Sequence, residues 1–360
     1  MSEPKVAVDG RTLQQSPLGG VGRMLAGVLP RLAGRFAVDL LLDERRPQPQ
    51  GTGGVPLLPH RLRAPLSASA TAWLQLAVPL WLHRYPGVFH CPFYGLPYRQ
   101  PVPMVVSIYD LTFETNPEWF SRRRLVAFRA QARHAALTAR VVLTSSEVVA
   151  GQLTDRLGVP AGRVRLARPA ADACFFAAGA RRAELTGAGR PYLVAMGGAP
   201  RRRLATAVQA WRQARRLGAD VDLVVVGPEP PGGGAETPGL SHAGPVDDAA
   251  LAELLAGAVA FVYPTAYEGF GLPALEAAAA GCPVICAPVG ALPEVLGVDA
   301  EWCEAPEPGP LADGIVRLSG DGARAEGLSR RARQRAEASP GWDEAADRVA
   351  DAYAAAAAGE

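Results

Sequence analysis

The fold is decided by residues 261–290, which read FVYPTAYEGFGLPALEAAAAGCPVICAPVG. The apolar, β-rich residues 259–263 predict a buried strand that stops at Pro264. A glycine-bearing turn follows, and Pro273 suits the first position of a helix because it has no N–H to leave unpaired there. The helix is predicted over 273–280, Gly281 ends it, and residues 283–287 form a second buried strand. This order of strand, glycine turn, helix and strand is the local unit of a parallel sheet.

The turn itself predicts an anion site. Gly269 and Gly271 place no Cβ in the path of a ligand, and the N–H groups of the next helix lie at the positive end of its dipole. Two carboxylates frame the turn, Glu268 within it and Glu276 about one helical turn into the helix. Either alone has an ordinary interpretation, as a turn residue or as a dipole residue on a solvated face. Together they predict a ligand with hydroxyls beside a phosphate, which is the form of a nucleotide sugar.

Length and composition limit the class of protein. The 360 residues fit about two domains, and a hydrophobic content of 49% is enough for large cores. The net charge of +2 carries no signature of nucleic-acid binding, so no nucleic-acid partner is expected. The five cysteines form neither a CxxC pair nor a zinc spacing, which indicates buried thiols of a reducing compartment. The N-terminal residues lack an apolar leader and no segment reaches the ~20 apolar residues of a bilayer span, so we expect a cytoplasmic protein.

The N-terminal half predicts a first parallel α/β domain. A strand over Lys5–Asp9 precedes a glycine turn with Gly20 and Gly22, which opens a helix. The turn is loosely similar to a dinucleotide fingerprint, but the acidic residue expected next is ambiguous because Asp39 and Asp43 both bracket the LLL run. Residues 45–65 are rich in Pro, Gln and Gly and predict a surface loop. Strands are expected at 88–91, 103–109 and 141–144, and a helix at 147–157.

Two further helices of this half have two interpretations each. Residues 67–84 carry Trp73, Leu76, Leu80 and Trp81 on one side, which favours packing on the core over lying on a membrane, because the polar face has little positive charge. The helix that Ser121 can cap is rich in arginine. Such a run is a solvated face or a contact with an anionic membrane or lipid phosphate. Its arginines are Arg122, Arg123, Arg124, Arg129 and Arg133.

The C-terminal half predicts a second α/β domain. Periodicity fades over 168–190, where we place the boundary, and a new series begins with a strand at Tyr192–Met196. Arginines 201–203 follow this strand, and a helix is predicted over 204–217. A strand at 223–226, a Pro/Gly-rich loop to 239, a segment at 241–246 and a helix capped by Asp247 or Asp248 lead to the stretch quoted first. Helices are expected after it at 292–296, 311–318, 323–338 and 342–357. The alternation predicts parallel sheets covered on both faces, twice over.

Five segments resemble retaining glycosyltransferases of family 4, also called glycosyl transferases group 1. The motif YEGFGLPALE is the most specific of them. Residues 196–204 resemble the basic strand end usually written G…PRKNL. The other three are VDGRTL…GGVGRML, FHCPFYGLP with VVSIYDLTFETNPEWF, and LTSSEVVAGQLTDRLGV.

The resemblance implies the GT-B architecture, with two facing Rossmann-like domains that have parallel sheets. The acceptor-side domain is expected over residues 1–175 and the nucleotide-sugar domain over residues 190–338. Residues 339–360 are expected to form a return helix that crosses back to the first domain.

The resemblance also implies donor-side roles. Glu268 would bond hydroxyls of the transferred sugar and Glu276 those of the ribose. Arg201 and Arg202 stand where the family places an arginine and a lysine on the diphosphate, although an exposed βα loop is their ordinary interpretation. The remaining donor contacts would be glycines of the N-terminal turn, main-chain positions beside the base, and N–H groups at the diphosphate: Gly20, Gly22, Gly244, Val246, Gly269, Phe270, Gly271 and Leu272.

The implied chemistry needs no metal and no cofactor. Departure of the sugar leaves positive charge on its ring and negative charge on the β-phosphate, which arginines and helix-terminal N–H groups stabilise. Asp220 and Asp222 have the D-x-D spacing of metal-dependent transferases, but they stand at the entrance of a strand, the wrong end for a ligand. Retention of anomeric configuration is implied by the family and by no single residue.

The acceptor side departs from the family pattern. Tyr109 precedes Asp110 where the family often has His before Asp, and tyrosine is a poor base near neutral pH since its reference pKa is about 10. His90 or Asp110 would then position acceptor or donor, and His90 is equally well a satisfied strand-end residue. Arg202 in place of lysine keeps the positive charge but replaces a compact ammonium group by a planar, forked guanidinium group. Arg203 replaces the usual asparagine, and its role is open.

Two functions from different classes follow. The first is transfer of a sugar from a UDP or GDP sugar to a hydroxyl acceptor, which would be a glycan, a lipid-linked saccharide or a small molecule. The second is a nucleotide-sugar-binding partner subunit whose catalysis is weakened by Tyr109 and Arg203. The intact glutamates and the basic pair favour the transferase. A nicotinamide dehydrogenase would rest on the N-terminal glycines alone.

Overall fold

The computed structural model describes residues 4–51, 57–64, 69–186, 189–198, 200–228 and 237–359. The chain divides into two units, the first made of Met1–Pro169 and Pro340–Glu360 and the second of Ala170–Ser339. Each unit is built around its own parallel sheet, so the expectation of two α/β domains with parallel sheets is confirmed.

The sheet of the first unit has the order β3-β2-β1-β4-β5-β6-β7 in the described ranges. Every neighbouring pair is parallel. The central strands are buried over nearly their whole length, as strands covered on both faces must be. The strands are β1 Lys5–Asp9, β2 Ala37–Asp43, β3 Leu58–Leu62, β4 Gly87–Cys91, β5 Met104–Ser107, β6 Val141–Thr144 and β7 Val164–Leu166.

The sheet of the second unit has the order β10-β9-β8-β11-β12-β13 over the residues described. Its strands are also parallel. Successive residues of β11 join different cores, since Phe261 and Tyr263 pack in one cluster and Ala260 and Val262 in another. The strands are β8 Tyr192–Met196, β9 Asp222–Val226, β10 Leu240–Gly244, β11 Ala260–Tyr263, β12 Val284–Cys286 and β13 Glu301–Trp302.

The helices cover the faces of each sheet. Those of the first unit begin with α1 Gly20–Leu32, α2 Ala70–Ala72, α3 Val78–Leu82, α4 Thr112–Thr115, α5 Arg122–Thr138 and α6 Glu147–Leu157, with a π-helical turn at Trp73–Ala77 between α2 and α3. Those of the second unit are α7 Ala173–Ala180, α8 Arg182–Thr186, α9 Leu204–Arg216, α10 Asp248–Gly257, α11 Leu272–Ala279, α12 Leu292–Leu296, α13 Pro308–Gly320 and α14 Gly322–Glu337. The last helix, α15 Trp342–Ala358, belongs to the first unit. No helix within the described ranges is long and apolar enough to span a membrane.

Local capping explains several boundaries. Ser146 accepts a hydrogen bond from the N–H of Val149 at the start of α6, and Gly158 ends that helix at φ +71°. Asp247, and not Asp248, caps α10 by accepting from the N–H of Ala250 at 2.8 Å. Ser121 occupies the N-cap position of α5, but its hydroxyl makes no capping hydrogen bond, so that predicted cap was wrong.

Several predictions of regular structure were wrong. The loop expected at 45–65 contains β3, an edge strand whose mostly exposed residues show no apolar alternation. Residues 168–190 contain α7 and α8, and residues 170–175, expected in the first domain, belong to the second unit because Phe175 is buried in its core. The short strands β7 and β13 were also missed. Parts of the expected loops at 45–65 and up to 239, and the expected helix start at 67, fall outside the described residues.

The return helix α15 packs on the first unit. The indole of Trp342 lies against Gly27 of α1, and the ring of Tyr353 meets Phe36 edge-on at 5.5 Å. Two exposed ion pairs, Arg31 with Asp343 and Arg35 with Asp347, flank this packing at 2.6 Å each. Exposed pairs of this kind contribute little, so the buried aromatic rings hold the helix.

We expect Gly27→Ala to destabilise the protein by about 1–3 kcal/mol, because a Cβ at that position would overlap the indole ring of Trp342. Gly151→Ala is the matched control, since Gly151 lies inside α6 with open space around it and the change adds helix propensity of up to about 1 kcal/mol. Thermal unfolding should therefore shift the two midpoints in opposite directions. Equal shifts would show that α15 does not pack this way on α1.

Candidate active site

The glycine turn between β11 and α11 is where the sequence predicts an anion site. Gly271 is the N-cap of α11 at φ +101°, and a Cβ there would lie 2.6 Å from Cδ2 of Leu292. Its carbonyl accepts from the N–H groups of Ala274 and Leu275, which closes the first turn of the helix. In the described part of the chain, the N–H groups of Phe270, Gly271 and Leu272 donate to no protein acceptor. Three adjacent free donors at the positive end of a helix dipole suit an anion.

Glu268 is withdrawn from solvent, with 5% of its surface exposed. Its Oε1 accepts hydrogen bonds from the phenol of Tyr263 and from Nε of Arg201 at 3.4 Å. Oγ1 of Thr265 also lies 3.4 Å from Oε1, but its hydroxyl is nearer the carbonyl of Tyr267, at 3.1 Å. Among the residues that the structure describes, none donates to Oε2. An ordinary solvated turn carboxylate is therefore excluded, and one carboxylate oxygen is available to a ligand.

The backbone of Glu268 is held as tightly as its side chain. Its carbonyl accepts from the N–H of Ala291 at 2.9 Å, and Gly290, at φ +54°, packs against it so closely that a Cβ would overlap the carbonyl oxygen. Only glycine meets both the conformation and the spacing at this position.

Glu276 lies on α11 with 1% exposure, inside the second unit. The solvated helix face that was its ordinary interpretation is therefore wrong. A carboxylate is rarely buried to this degree without a specific reason. Its predicted contact with a ribose stays a prediction.

The basic turn after β8 meets the glycine turn directly. The carbonyl of Arg201 accepts from the N–H of Ala266 at 3.0 Å, in addition to the contact of its Nε with Glu268. Arg202 donates from Nη1 to the carbonyl of Gly197 at 2.9 Å, and its buried Nε has no hydrogen-bond partner within the described ranges. The two turns thus bring Glu268, Arg201 and the free helix N–H groups into one region at the carboxyl ends of β8 and β11.

Arg203 has a different role from its neighbours. Its φ is +48°, a left-handed conformation in which asparagine is enriched, which accounts for the asparagine of the family pattern. Its side chain turns to the start of α13, where it bonds the carbonyl of Pro306 at 2.9 Å and Oε1 of Glu307 at 3.1 Å. The open role of Arg203 is therefore structural.

Two more donor-side predictions lie at the end of β10. Gly244 is the last residue of that strand at φ +67°, and its carbonyl accepts from the N–H of Gly227. Val246 is half-buried against the core of the second unit. Their contact with a base stays a prediction.

Asp220 and Asp222 both pair with Arg190 at the amino end of β9, in accord with their interpretation as solvated strand-edge residues.

Two of the predicted residues of the first unit, Gly22 and Asp110, have structural partners. Gly20 is exposed at the start of α1, whereas Gly22 is buried where a Cβ would lie 2.8 Å from the carbonyl oxygen of Thr12. Asp110 accepts at Oδ1 from the phenol of Tyr94, at 2.8 Å, and from the N–H and hydroxyl of Thr112, at 3.0 and 2.6 Å. Asp110 therefore fixes the turn into α4, and its catalytic role stays a prediction.

His90 is a hydrogen-bonded residue of the fold, which was one of its two interpretations, and its contact with an acceptor stays a prediction. It is 1% exposed, with Nδ1 2.8 Å from the hydroxyl of Tyr353 and Nε2 2.8 Å from Oγ of Ser107. Burial lowers the pKa of His90 to about 3, so the ring is neutral near neutral pH. Burial also raises the pKa of Tyr109 to about 12, so its phenol stays protonated and is no general base.

Tyr263, Thr265 and Gly290 were missed as site residues. Tyr263 was counted only as part of the apolar run that predicts β11. A hydroxyl at the carboxyl end of a central parallel strand is, however, itself a signal for a site. Gly290 is 22 residues from Glu268 in sequence, and no local pattern connects the two.

Comparison with known proteins assigns the family. Residues 18–175 match the family model described as "Glycosyltransferase Family 4". Residues 190–321 match the family model described as "Glycosyl transferases group 1". The chain belongs to the family 4 glycosyltransferases. The sequence-based recognition is thus confirmed, and the chain is an enzyme that transfers a glycosyl group.

Relatives and solved structures agree with this assignment. The chain is 28% identical over 318 residues to O-antigen chain mannosyltransferase B of Escherichia coli, covering 78% of this chain and 82% of that one. It is 28% identical over 295 residues to glycogen synthase of Mycobacterium tuberculosis, covering 78% and 68%. Anabaena HepE in complex with UDP and glucose has the same fold, with a TM-score of 0.72, 17% identity, and 97% and 99% of the two chains covered. A sucrose-phosphate synthase from Thermosynechococcus elongatus shares it with a TM-score of 0.73, 19% identity and 98% of each chain covered. The GT-B fold class is thereby confirmed.

We expect Gly290→Ala to destabilise the second unit by about 1–3 kcal/mol more than Gly218→Ala. Both glycines have positive φ, at +54° and +99°, so both substitutions carry the strain of a left-handed alanine. Only the alanine at position 290 would also overlap the carbonyl of Glu268, because Gly218 faces open space. Thermal unfolding of the two variants measures the difference, and equal midpoints would contradict the close approach at Glu268.

Proposed function

We propose that this glycosyltransferase moves a sugar from a nucleoside-diphosphate sugar to a hydroxyl acceptor, with retention of anomeric configuration and without a metal. The observation that carries the proposal is the pairing of a buried carboxylate that has one unbonded oxygen, Glu268, with the free N–H groups of residues 270–272. A hydroxyl-bearing group next to a phosphate satisfies both features at once.

The diphosphate would lie between the glycine turn and the basic turn. The N–H groups of Phe270, Gly271 and Leu272 donate from one side, and Arg201 and Arg202 supply positive charge from the other. Support comes from the buried Nε of Arg202, which has no partner in the described ranges and would bond a phosphate oxygen. The complex of Anabaena HepE with UDP and glucose and the mannosyltransferase relative make a UDP or GDP sugar the donor class that we propose.

The chemistry follows from where charge develops. When the bond between the sugar and the β-phosphate breaks, negative charge grows on the phosphate and positive charge on the ring. Preorganised N–H donors and guanidinium groups stabilise the departing diphosphate more strongly than the intact donor, so they lower the barrier without a metal. Oε2 of Glu268 would meanwhile hold hydroxyls of the sugar in place.

The other predicted contacts complete the donor. Glu276 would bond the ribose hydroxyls, and main-chain groups of Gly244 and Val246 would hold the base. The roles predicted for Gly20 and Gly22 in donor binding, and for Asp110 in positioning the acceptor hydroxyl, belong to the same proposal. Polysaccharide or glycolipid synthesis in the cytoplasm is the setting that these roles and the O-antigen relative favour.

Glu268→Gln should reduce transfer or hydrolysis of the donor at least a hundredfold, because the amide loses the charge and half of the acceptor capacity of the carboxylate. The same substitution at exposed Glu326 is the control and should leave the rate unchanged. A thermal-shift screen of nucleoside diphosphates and their sugars first identifies the donor, since a ligand of the folded state raises the unfolding midpoint.

The rate of transfer should survive EDTA, and a requirement for magnesium or manganese would refute the metal-free mechanism. Tight donor binding with no turnover on any acceptor would favour the partner-subunit alternative.

Arg202→Ala should weaken nucleoside-diphosphate binding about 10- to 100-fold, since a hydrogen bond to a charged group contributes about 1.5–3 kcal/mol. Arg216→Ala removes an exposed arginine at the far end of α9 and should have no effect. Isothermal titration calorimetry measures both affinities. Equal affinities for Arg202→Ala and the unaltered protein would mean that the basic turn does not hold the diphosphate.

We also propose a peripheral membrane contact through the start of α5, at the inner face of the membrane. Arg122, Arg123 and Arg124 are exposed there, next to Val126 and Trp119, whose exposed fractions are 68% and 37%. Arginines beside exposed apolar groups suit an anionic lipid surface. Arg129, by contrast, is paired with Glu114, and Arg133 is exposed.

Changing Arg122, Arg123 and Arg124 together to Gln should reduce binding to vesicles that contain anionic lipid at least tenfold, since each basic residue near such a surface contributes about 1 kcal/mol. The matched control changes three exposed arginines of the second unit, Arg212, Arg216 and Arg330, to Gln. Vesicle co-sedimentation at low salt measures both. Equal loss in the two triple variants would indicate general charge attraction and would refute the α5 contact.

A further inference from the structure

Tyr263 occupies a central place in the second unit that the proposed roles leave unexplained. It is the last residue of β11, the strand between β8 and β12, and is 1% exposed. Its ring stacks on Phe261 at 5.0 Å with an interplanar angle of 25°, which holds the phenol in one orientation. The hydroxyl donates to Oε1 of Glu268.

The phenol is the donor best suited to orient this carboxylate. Arg201 and Thr265 also reach Oε1, but at 3.4 Å each they are near the outer limit of a hydrogen bond. Burial and the adjacent Glu268 carboxylate raise the pKa of Tyr263 well above its usual value, so the hydroxyl is protonated near neutral pH. Its oxygen therefore faces the carboxylate as a neutral donor.

The phenol of Tyr263 and Nε of Arg201 donate to the same oxygen, Oε1, while the hydroxyl of Thr265 lies 3.4 Å from it and 3.1 Å from the carbonyl of Tyr267. Because Oε1 is occupied, the carboxylate plane is fixed and Oε2 is the oxygen left for a ligand. The backbone contacts at Gly290 and Ala291 hold the main chain of Glu268 but leave its side-chain torsions to these donors.

We propose that Tyr263 is a positioning residue, which fixes Oε1 of Glu268 so that Oε2 meets the hydroxyls of the donor sugar. This inference rests on the proposed function of Glu268. Tyr263 touches no substrate itself and acts only through the carboxylate.

Tyr263→Phe keeps the ring and removes only the hydroxyl. We expect kcat to fall roughly 10- to 100-fold, because a misplaced catalytic group affects the transition state most, while KM for the donor changes less than about threefold. Affinity for the nucleoside diphosphate without its sugar should not change. Tyr192→Phe is the matched control, since it removes a phenol that donates to the carbonyl of Leu254 in the same unit, and its kcat should equal that of the unaltered enzyme. An unchanged kcat for Tyr263→Phe, or an equal loss in both variants, overturns the proposal.

A double-mutant cycle separates positioning from general packing. If Tyr263 acts through Glu268, adding Tyr263→Phe to Glu268→Gln should slow the reaction by less than about twofold beyond Glu268→Gln alone. If the two losses multiply, Tyr263 acts independently of the carboxylate and the proposal fails.

Crystal structures of the ligand-free protein and of Tyr263→Phe distinguish this inference from the proposed function. A rotated Glu268 carboxylate in the variant supports the positioning role, even if no nucleotide sugar binds and the proposed function fails. An unrotated carboxylate overturns it, even if the enzyme turns over a nucleotide sugar.

Discussion

A carboxylate withdrawn from water must receive hydrogen bonds, and the residues that surround Glu268 supply them. The side chain is reached by Tyr263 from the strand below it, by Thr265 from its own turn and by Arg201 from the neighbouring basic turn. The main chain is held by Ala291 and by the close approach of Gly290. Three segments of the second unit thus converge on one residue: residues 263–268 themselves, the basic turn at Arg201, and residues 290–291. The last two are far from Glu268 in sequence, and the parallel sheet brings them near it because its strands all end at the same edge.

The first unit buries polar groups for a different purpose. His90 bonds Tyr353 of the last helix on one side and Ser107 of β5 on the other, so the two ring nitrogens link three elements of the fold. Neutral, hydrogen-bonded and almost fully buried, this histidine gives α15 a unique position on the first unit. Likewise, Oδ1 of Asp110 accepts two hydrogen bonds from Thr112 in the turn that starts α4. The contacts of this histidine therefore hold three elements of the first unit together.

Much of the architecture follows from local pattern. The alternation of apolar strands with helices predicted two parallel α/β domains, and the glycine turn predicted the start of the helix that follows β11. The missed elements are those whose stability comes from neighbours. The edge strand β3 is mostly exposed, β7 and β13 have three and two residues, and α7 is recognisable only through the burial of Phe175. Each forms because an adjacent strand or core completes it, and no periodicity within so few residues reports that.

The sequence by itself determined the family, the two sheets and the glycine turn with its helix, because these depend on spacings of a few residues along one strand, turn or helix. Only the tertiary structure decided which oxygen of Glu268 is bonded, that His90 is a structural residue, and that Arg203 turns away to α13. The reason is distance along the chain. Arg201 and Glu268 are 67 residues apart and His90 and Tyr353 are 263 apart, so their contacts exist only after each sheet has formed.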